Sequence, residues 1–287
     1  MPEENRARSH LSHAVPVASM IIPTYNSAKF LDRCLHSILS QDFDRIETIV
    51  VDNCSTDGTA KIAQSYGARV VSKRSGMSEA RVIGAQAARG EIFFFIDSDM
   101  ELLPSVVSDC ITKIRTGMDA LVIPERSVGE GFWARCKALE KSCYKGEVFE
   151  SARVFRRDVY FQIGGHDIFL LGGEDKDLDI RVRVAGFYVE RAKGWINHLE
   201  GRLKISSLVM KKYRYGKTMR YFSEKHPYEF RVHAIPFRIA FIRNWRKLVK
   251  DPAGTLGMFL MRSCEWAAAA AGFVATLTSE RGKALEK

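Results

Sequence analysis

The sequence predicts an α/β fold, with a Rossmann-like, mostly parallel sheet flanked by helices and followed by a helical C-terminal extension. Up to about residue 120, short apolar runs alternate with amphipathic segments, which is the pattern of a doubly wound parallel sheet with right-handed crossovers. Beyond residue 204, helical periodicity and basic side chains dominate. With 287 residues, of which 46% are hydrophobic, the chain can bury a large core as one or two domains.

The elements of the predicted sheet follow one another in order. The first apolar run is closed by Pro23, and Ser27 is a candidate N-cap for the helix after it. Polar loops follow the first, second and fourth strands. Because the carboxyl ends of parallel strands share one edge of a sheet, we expect a ligand site there. The predicted strands are residues 17–23, 46–51, 68–72 and 91–96, and the predicted helices run over 27–41, from 59, over 79–88 and over 104–116.

The most informative stretch is the apolar run Ile92–Ile96, which ends in Asp97-Ser98-Asp99. Such a run indicates a strand buried on both faces, so its chemistry lies where it ends. Two carboxylates at positions i and i+2 can reach one cation, and hard oxygen ligands suit Mg²⁺ or Mn²⁺. Asp-Ser-Asp before a helix is also good N-cap chemistry, and taken alone the stretch leaves both interpretations open.

The usual phosphate-binding loops are missing from the sequence. No G-x-G-x-x-G follows the first strand, and no G-x-x-x-x-G-K-S/T occurs. Phosphate charge would then be neutralised elsewhere, and a metal at Asp97 and Asp99 is the obvious supplier. The six cysteines form no C-x-x-C pair, and with no signal peptide at the N-terminus we expect reduced thiols in a cytosolic protein.

Positive charge is concentrated in one part of the chain. The formal net charge is +10, and the segment from Arg202 to Lys250 holds fourteen Lys or Arg against two acids, Glu224 and Glu229. The rest of the chain is therefore close to neutral. A basic C-terminal third indicates a phosphate-rich partner, which could be a nucleic acid, an anionic membrane surface or a phosphorylated substrate.

Several ordered motifs resemble those of family 2 glycosyltransferases with the GT-A fold. The resemblance covers roughly residues 17–200. It rests on Pro23-Thr24-Tyr25-Asn26, Val50–Thr59, Ala80-Arg81, Ala88–Glu91 and Asp97-Ser98-Asp99. The sequence departs from the family pattern at Asn53 and Cys54, where Asp and Gly are usual, and at Val82, where Asn is common.

The resemblance implies a site for a nucleotide-diphospho-sugar, with a UDP-sugar favoured over a GDP-sugar. In the family, the counterpart of Asp52 holds the nucleotide base, and the D-x-D motif holds Mn²⁺ or Mg²⁺ against the diphosphate. From the residues alone, Arg81 at a helix start is a candidate for a charge-assisted contact to the base or a phosphate, and a solvated helix residue is the alternative. The expected nucleotide-binding residues are Pro23, Thr24, Tyr25, Asn26, Asp52, Asn53, Arg81, Asp97 and Ser98, and the expected metal ligands are Asp99, Asp97 and His198.

Two acidic residues, Glu174 and Asp175, follow Gly172-Gly173 and open an amphipathic helix. A helix dipole by itself favours acids at this end. The resemblance to the family's Glu-Asp motif implies that Asp175 is the general base of an inverting transfer, and that Glu174 orients the acceptor or Asp175. If the acceptor is a phosphate, no base is required, and Asp175 would matter for positioning.

Other candidate residues come from the second half of the chain. His198 ends a predicted strand at the same edge, where it would complete the metal shell, contact the leaving diphosphate or be structural. Candidates for contacts to the acceptor or to phosphate are Arg156, Lys212 and Arg214. The Q-x-x-R-W motif of the family's processive synthases is absent after this point, so transfer of a single sugar is expected.

The C-terminal segment carries two apolar stretches. Ala234–Lys250 is predicted to form one basic amphipathic helix, typical of a membrane surface, and packing on the domain is the alternative. Residues 256–276 are strongly apolar but contain Arg262 and Glu265. We therefore expect a packed or interfacial helix there rather than a membrane span.

Together these observations predict an inverting, metal-dependent glycosyltransferase that is cytoplasmic and peripheral on the inner face of the membrane, with a membrane-proximal or lipid-linked acceptor. A soluble small-molecule or glycan acceptor is the alternative. A second alternative is a nucleic-acid- or membrane-binding protein on a non-catalytic GT-A scaffold. It would explain the basic segment but leave Asp97, Asp99, Glu174 and Asp175 without a role. We therefore expect no nucleic-acid partner. The expected segments are a flexible tail (1–16), a nucleotide-sugar-binding half (17–120), an acceptor and catalytic half (121–204) and a basic helical extension (205–287).

Overall fold

The computed structural model describes residues 15–144, 150–235 and 238–285. The predicted N-terminal tail therefore falls, up to position 14, outside the described residues. The strands are β1 Ala18–Thr24, β2 Ile46–Asp52, β3 Arg69–Ser72, β4 Ile92–Phe95, β5 Met100–Leu102, β6 Ala120–Val122, β7 Glu125–Glu130, β8 Val154–Arg156, β9 Val189–Arg191 and β10 Ile196–Arg202.

The helices alternate with these strands in the first half and dominate the second. They are α1 Ala28–Leu39, α2 Thr59–Ser65, α3 Met77–Ala87, α4 Val106–Arg115, α5 Gly131–Ser142, α6 Arg157–Gln162, α7 Glu174–Val184, α8 Ile205–Gly216, α9 Met219–Lys225, α10 Pro227–Ala234, α11 Ile239–Arg243, α12 Trp245–Lys250 and α13 Pro252–Leu285. The predicted strands and helices up to residue 116 agree with this assignment to within about two residues, which is the usual uncertainty of an element's end.

Seven of the described strands form one sheet in the order β3-β2-β1-β4-β8-β6-β9. β1 pairs in parallel with β2 and β4, and β2 pairs in parallel with β3. β8 runs antiparallel to both β4 and β6, and β6 pairs in parallel with β9. The predicted α/β fold with a mostly parallel sheet and a helical C-terminal extension is thus confirmed.

The chain divides into two compact units. The first comprises the chain up to Ile123 together with Ala152–His166 and Arg181–Ile196. Its core explains the aromatic run of β4, because both faces of this strand are covered. Phe94 packs into the main apolar cluster, whereas the rings of Phe93 and Phe95 lie 5.6 and 5.0 Å from the ring of Tyr160.

The second unit comprises Pro124–Ser151, Asp167–Ile180 and the chain from Asn197 onward. In it, β7 pairs with β10, and the long helix α13 packs along α8 and α5. The apolar layer between these helices includes Cys136, Leu208, Phe241, Met258 and Met261, all of them buried. Burial of this layer is what holds the helical extension together.

The predicted single helix over Ala234–Lys250 is wrong. Helix α10 ends at Ala234, residues 236 and 237 lie outside the described residues, and α11 and α12 are separated at Asn244. Position 236 is a proline, and the residue before a proline avoids helical backbone angles, so Ile235 is extended (φ −74°, ψ 120°). The Asn244 side chain donates to the carbonyl oxygens of Cys143 and Ala240, and this competes with helix continuation.

Within the described ranges, none of the helices combines the length and the apolarity that crossing a bilayer requires.

Candidate active site

The strand order of the first unit reverses between β1 and β4. The chain adds β2 and β3 on one side of β1 and then returns to place β4 on the other side. In open α/β sheets a ligand crevice lies at such a switch point, outside the carboxyl ends of the strands. Thr24 and Asp52 are register partners at the ends of β1 and β2, and Asp97 follows β4. The predicted nucleotide-binding segments therefore share this edge of the sheet.

Asp52 is buried, with 2% of its surface exposed, and is held by three hydrogen bonds. Oδ1 accepts from Thr24 Oγ1 (2.8 Å) and Ser55 Oγ (2.6 Å), and Oδ2 accepts from the Ser55 N–H (2.9 Å). A carboxylate offers about four acceptor positions, so capacity for a ligand donor remains. Thr24 and Ser55 fix the carboxylate in one orientation before any ligand binds.

Two loops are joined around Asn26, which adopts the left-handed region at φ 48°. Its N–H donates to Ser55 Oγ (2.8 Å), and its Oδ1 accepts from the Thr56 N–H (2.9 Å). The Asn53 N–H donates to the Thr24 carbonyl oxygen (2.9 Å), and Asn53 Oδ1 accepts from the Ser75 N–H (3.1 Å). These bonds give Asn26 and Asn53 a defined role in holding the loops.

The remaining residues of the first motif differ in exposure. Pro23 is buried within β1, which is buried along its whole length. The Tyr25 side chain is 64% exposed, so its ring is available to a ligand or to solvent.

Asp97 is paired with two arginines from different elements. Arg81, only 1% exposed, approaches Oδ1 through Nη2 at 2.7 Å, and Arg153 approaches Oδ2 through Nη1 at 3.4 Å. The contact of Arg81 with a nucleotide stays a prediction, since its observed partner is Asp97.

The turn at Ser98 and Asp99 rests on helix α1. Ser98 Oγ lies 2.9 Å from Ser27 Oγ, and the Cys34 thiol lies 3.7 Å from the Asp97 carbonyl oxygen. Burial, followed by the negative charges of Asp99 and Asp97, raises the pKa of Cys34 far above its usual range. Cys34 is thus a neutral packing residue beneath the two carboxylates.

The donor set at this turn fits a hard divalent cation that takes its other ligands from a substrate. Asp97 and Asp99 supply carboxylate oxygens, the ligands that Mg²⁺ and Mn²⁺ prefer. In the part of the chain that the structure describes, no three His, Cys, Asp or Glu side chains assemble as a metal site. A cation held here would therefore need phosphate oxygens and water, which is the usual way Mg²⁺ is bound.

In the second unit, Glu174 and Asp175 lie in the first turn of α7. Glu174 is buried and Asp175 is half-buried. The two preceding glycines are required by close packing. A Cβ at Gly172 would lie 3.0 Å from the Tyr215 ring, and a Cβ at Gly173 would lie 3.3 Å from the Phe222 ring. Gly173 also has a φ of 82°, in the left-handed region that favours glycine. Side chains of α8 and α9 thus fix the backbone that precedes Asp175.

The same turn of α7 carries a buried ion cluster that the sequence did not reveal. Asp177 is completely buried and lies 2.7 Å from Lys225 Nζ and 2.8 Å from His226 Nε2. Its N–H donates to the Gly173 carbonyl oxygen (2.8 Å). Charge-assisted bonds of this kind hold the start of α7 against the end of α9.

His198 lies in an ion cluster of the second unit. Its Nδ1 is 2.8 Å from Lys141 Nζ and 3.3 Å from Glu200 Oε1. Although burial raises the pKa of Glu200, bonds from His198 and Ser127 and the charge of Lys141 lower it to about 2. The predicted role of His198 as a metal ligand stays a prediction.

The three candidate acceptor or phosphate contacts differ in setting. Arg156 is the register partner of Ile92, at the opposite end of β4 from Asp97, and pairs with Asp119 (3.0 Å) and Asp158. Lys212 is half-buried, and burial together with the charge of Lys137 lowers its pKa to about 8. Arg214 lines a separate cavity of about 540 Å³ on α8.

The sequence analysis did not identify Arg153 as a residue of the site. The missing information was the direction of β8. Because β8 runs antiparallel to β4, its first residues lie beside the last residues of β4, and Arg153 precedes β8 directly.

The chain matches known proteins over most of its length. The model of the family described as "Glycosyl transferase family 2" matches residues 19–171. Glycosyltransferase AglE of Haloferax volcanii is 26% identical over 226 residues, which is 72% of this chain and 74% of AglE.

Poly(ribitol-phosphate) beta-N-acetylglucosaminyltransferase TarS of Staphylococcus aureus is 34% identical over 120 residues, which is 38% of this chain but only 21% of TarS. The solved structure of its residues 1–349 in complex with UDP-GlcNAc has a TM-score of 0.52 at 17% identity, covering 93% of this chain and 92% of that one.

Mannosyltransferase PcManGT of Pyrobaculum calidifontis, solved in complex with GDP-Man and Mn²⁺, has a TM-score of 0.59 at 17% identity. The match covers 95% of this chain and 81% of the PcManGT chain. At this identity the likeness concerns the fold, and the fold it supports is GT-A.

Proposed function

Because the chain belongs to glycosyl transferase family 2, we propose that it transfers a single sugar from a nucleotide-diphospho-sugar to a membrane-proximal or lipid-linked acceptor, with inversion at the anomeric carbon. Residues 17–120 are proposed as the donor-binding half, 121–204 as the acceptor half and 205–287 as the basic extension. The enzyme is proposed to be peripheral on the inner face of the membrane.

One observation carries the donor proposal: Thr24, Asp52 and Asp97 lie at or just after the ends of three neighbouring parallel strands, at the switch point of the sheet. Asp52 is proposed to accept from the nucleotide base, and the exposed Tyr25 to contact it. A UDP-sugar is favoured, since TarS was solved with UDP-GlcNAc, and a GDP-sugar is the alternative, since PcManGT was solved with GDP-Man.

Asp97 and Asp99 are the residues proposed to hold Mn²⁺ or Mg²⁺, with Ser98 supporting their turn. When bound, such an ion neutralises the charge that develops on the diphosphate leaving group. The chain's own contribution is to orient Asp97 through Arg81 and Arg153. His198 is kept as a further candidate ligand.

Asp175 is proposed as the general base that removes the proton of the acceptor hydroxyl, and Glu174 as the residue that orients it. The packing of Gly172 and Gly173 and the Asp177 cluster support this, since they hold the first turn of α7 rigidly. If the acceptor is a phosphate, Asp175 positions it and removes no proton.

The proposed acceptor class is supported by the positive charge of the C-terminal part of the chain. The strongly basic segment from Arg202 to Lys250 suits an acceptor that carries phosphate or lies on an anionic surface. Arg156, Lys212 and Arg214 remain candidates for acceptor or phosphate contacts. A soluble glycan acceptor is the alternative, and so is a non-catalytic scaffold that binds a membrane or a nucleic acid.

The test of catalysis compares Asp175→Asn with Asp177→Asn. The measurement is release of UDP and transfer of labelled sugar from UDP-sugars to a total membrane-lipid fraction. We expect Asp175→Asn to lower kcat by roughly 10²–10⁴-fold at unchanged Tm, since a general base contributes about that much. Asp177→Asn removes a buried charge from its partners and should lower Tm instead.

Activity of Asp175→Asn within twofold of the wild type would contradict the proposed base. The anomeric configuration of the product, read by NMR, tests inversion separately, because retention of the donor's configuration is incompatible with a single displacement.

A further inference from the structure

The outer face of α13 is mostly apolar from Ala253 to Leu277, the last residue of the helix whose side chain is described. Apart from the adjacent Trp266 and Ala267, its exposed positions recur every three or four residues, so they lie on one face of the helix. They are Ala253, Leu256, Leu260, Ser263, Trp266, Ala267, Ala271, Val274 and Leu277. Not one of these nine residues is charged.

The charged residues of the same stretch point into the protein. Arg262 pairs with Glu140 of α5 and donates to Tyr144 Oη at 2.7 Å, and Glu265 lies 3.3 Å from Lys137. Glu140 is buried, and although burial raises its pKa, Lys137 and Arg262 hold that pKa well below its usual range. A helix that borders water normally does the reverse and turns its polar residues outward.

The two short helices that lead into α13 also expose apolar side chains. Ile239, Ile242, Trp245 and Val249 are 67, 73, 56 and 64% exposed. The residues that pack inward are instead Ala240, Phe241 and Leu248. The exposed apolar side chains are therefore not required by the core, and a cluster of exposed apolar residues of this kind indicates an interaction surface.

Basic residues are interleaved with this apolar set. Between Phe230 and Lys250 the sequence has no Asp or Glu, and Arg243, Arg246, Lys247 and Lys250 are all exposed. The Arg246 guanidinium lies 5.8 Å from the Trp245 ring centre. Such a surface suits an anionic lipid headgroup layer. A second copy of the chain fits it poorly, because two copies would bring like charges together.

We propose that α11, α12 and the outer face of α13 form a lipid-binding face that lies in the headgroup layer of an anionic membrane. Ile239, Ile242, Trp245 and Val249 enter the boundary of the acyl chains, and the flanking cations contact lipid phosphates. The role of this face rests on the proposed function, because the face would hold the enzyme close to a membrane-proximal acceptor. The lipid-binding face itself is testable without any acceptor.

The experiment is co-sedimentation of the full chain with vesicles of phosphatidylcholine alone or with phosphatidylglycerol added. We expect binding to the anionic vesicles only. The double variant Ile242→Ser/Trp245→Ser should bind roughly tenfold more weakly or worse, since it loses two inserted apolar side chains. The matched control is Val184→Ser/Tyr188→Ser, whose side chains are 82 and 69% exposed in the first unit, and it should bind like the wild type.

A second variant tests the electrostatic part. Arg246→Ala/Lys250→Ala removes two exposed cations, and each is expected to weaken binding about fivefold. We therefore expect roughly twenty-five-fold weaker binding to anionic vesicles and a smaller effect of added salt. All variants alter exposed side chains, and an unchanged Tm verifies that they fold.

Three outcomes would overturn the proposal: no sedimentation of the wild type with anionic vesicles, equal binding by the Ile242/Trp245 variant, or a wild-type dimer that this variant dissociates while neither binds vesicles. Donor binding is measured on the same preparations without vesicles. If the wild type binds a donor nucleotide but no anionic vesicles, the lipid-binding face alone is refuted. If it binds anionic vesicles but no donor nucleotide, the proposed function is refuted and the lipid-binding face stands.

Discussion

Cys54 occupies a backbone position that favours glycine. Its φ is 53°, in the left-handed region that costs a side-chain-bearing residue roughly 1–2 kcal/mol. The conformation is imposed by its neighbours, because the Asn53 N–H is bonded to Thr24 and the Ser55 N–H to Asp52. The loop that holds Asp52 is thus strained at one residue.

We predict that Cys54→Gly raises the free energy of unfolding by about 0.5–1 kcal/mol, since relief of strain exceeds the added backbone entropy of the unfolded chain. Urea unfolding measures it. The control is Gly58→Ala in the same loop, at φ 88° with no atom within 4 Å of the new Cβ, which should lower stability by about 1 kcal/mol. A destabilised Cys54→Gly would contradict the account of this loop.

At the scale of single residues, the sequence located the carboxylates but not their partners. Asp52 and Asp97 could be found because each lies at or just after the end of a buried strand. Arg153, Asp177 and His226 could not, since their partners are fixed by strand direction or helix packing. Arg81 shows the limit clearly: its contact with a ligand stays a prediction, and the sequence did not reveal that the side chain is buried against Asp97.

At the scale of elements, the four-residue ion cluster between α5 and α13 determines how the long helix docks. Lys137, Glu140, Arg262 and Glu265 are buried or nearly so and pair across the two helices. The pKa of Lys137 is well above its usual range, because the charges of Glu140 and Glu265 outweigh its burial. Such a cluster fixes the rotation of α13 and so turns its apolar face outward.

We predict that Arg262→Met lowers the free energy of unfolding by about 3 kcal/mol, because it leaves the buried Glu140 with one cation fewer. Guanidinium unfolding followed by circular dichroism is the measurement. The neighbouring exposed Ser263→Ala should stay within about 0.5 kcal/mol of the wild type. A neutral effect of Arg262→Met would mean that apolar packing alone docks the helix.

The strands near the site were predictable because each contains a short apolar run that ends in turn-forming residues, as in Ile92–Phe95. The segment before α13 was not, because its regular spacing of apolar residues concealed the break at Asn244. The spacing of apolar residues therefore identified the exposed apolar side chains of this segment, but it wrongly predicted one continuous helix.

At the scale of the whole molecule, the sheet order brings the ends of β1, β2 and β4 together, and this accounts for a nucleotide site without a glycine-rich phosphate loop. In the proposed function, Asp97 and Asp99 neutralise the phosphate charge together with a divalent ion. We therefore predict that donor binding requires both the metal and this pair of carboxylates.

The most direct test is the Tm of the wild type and of Asp99→Ala with UDP-, GDP-, dTDP- and CMP-linked nucleotides, each with Mn²⁺, Mg²⁺ or EDTA. A ligand that binds only the native state stabilises it by about 2.7 kcal/mol at a hundredfold excess over its Kd. We predict that one nucleotide class raises Tm by several degrees with metal but not with EDTA. Asp99→Ala should lose this rise, whereas Asp44→Ala, an exposed loop aspartate, should keep it. No stabilisation by any nucleotide, or stabilisation that Asp99→Ala retains in full, would contradict the account.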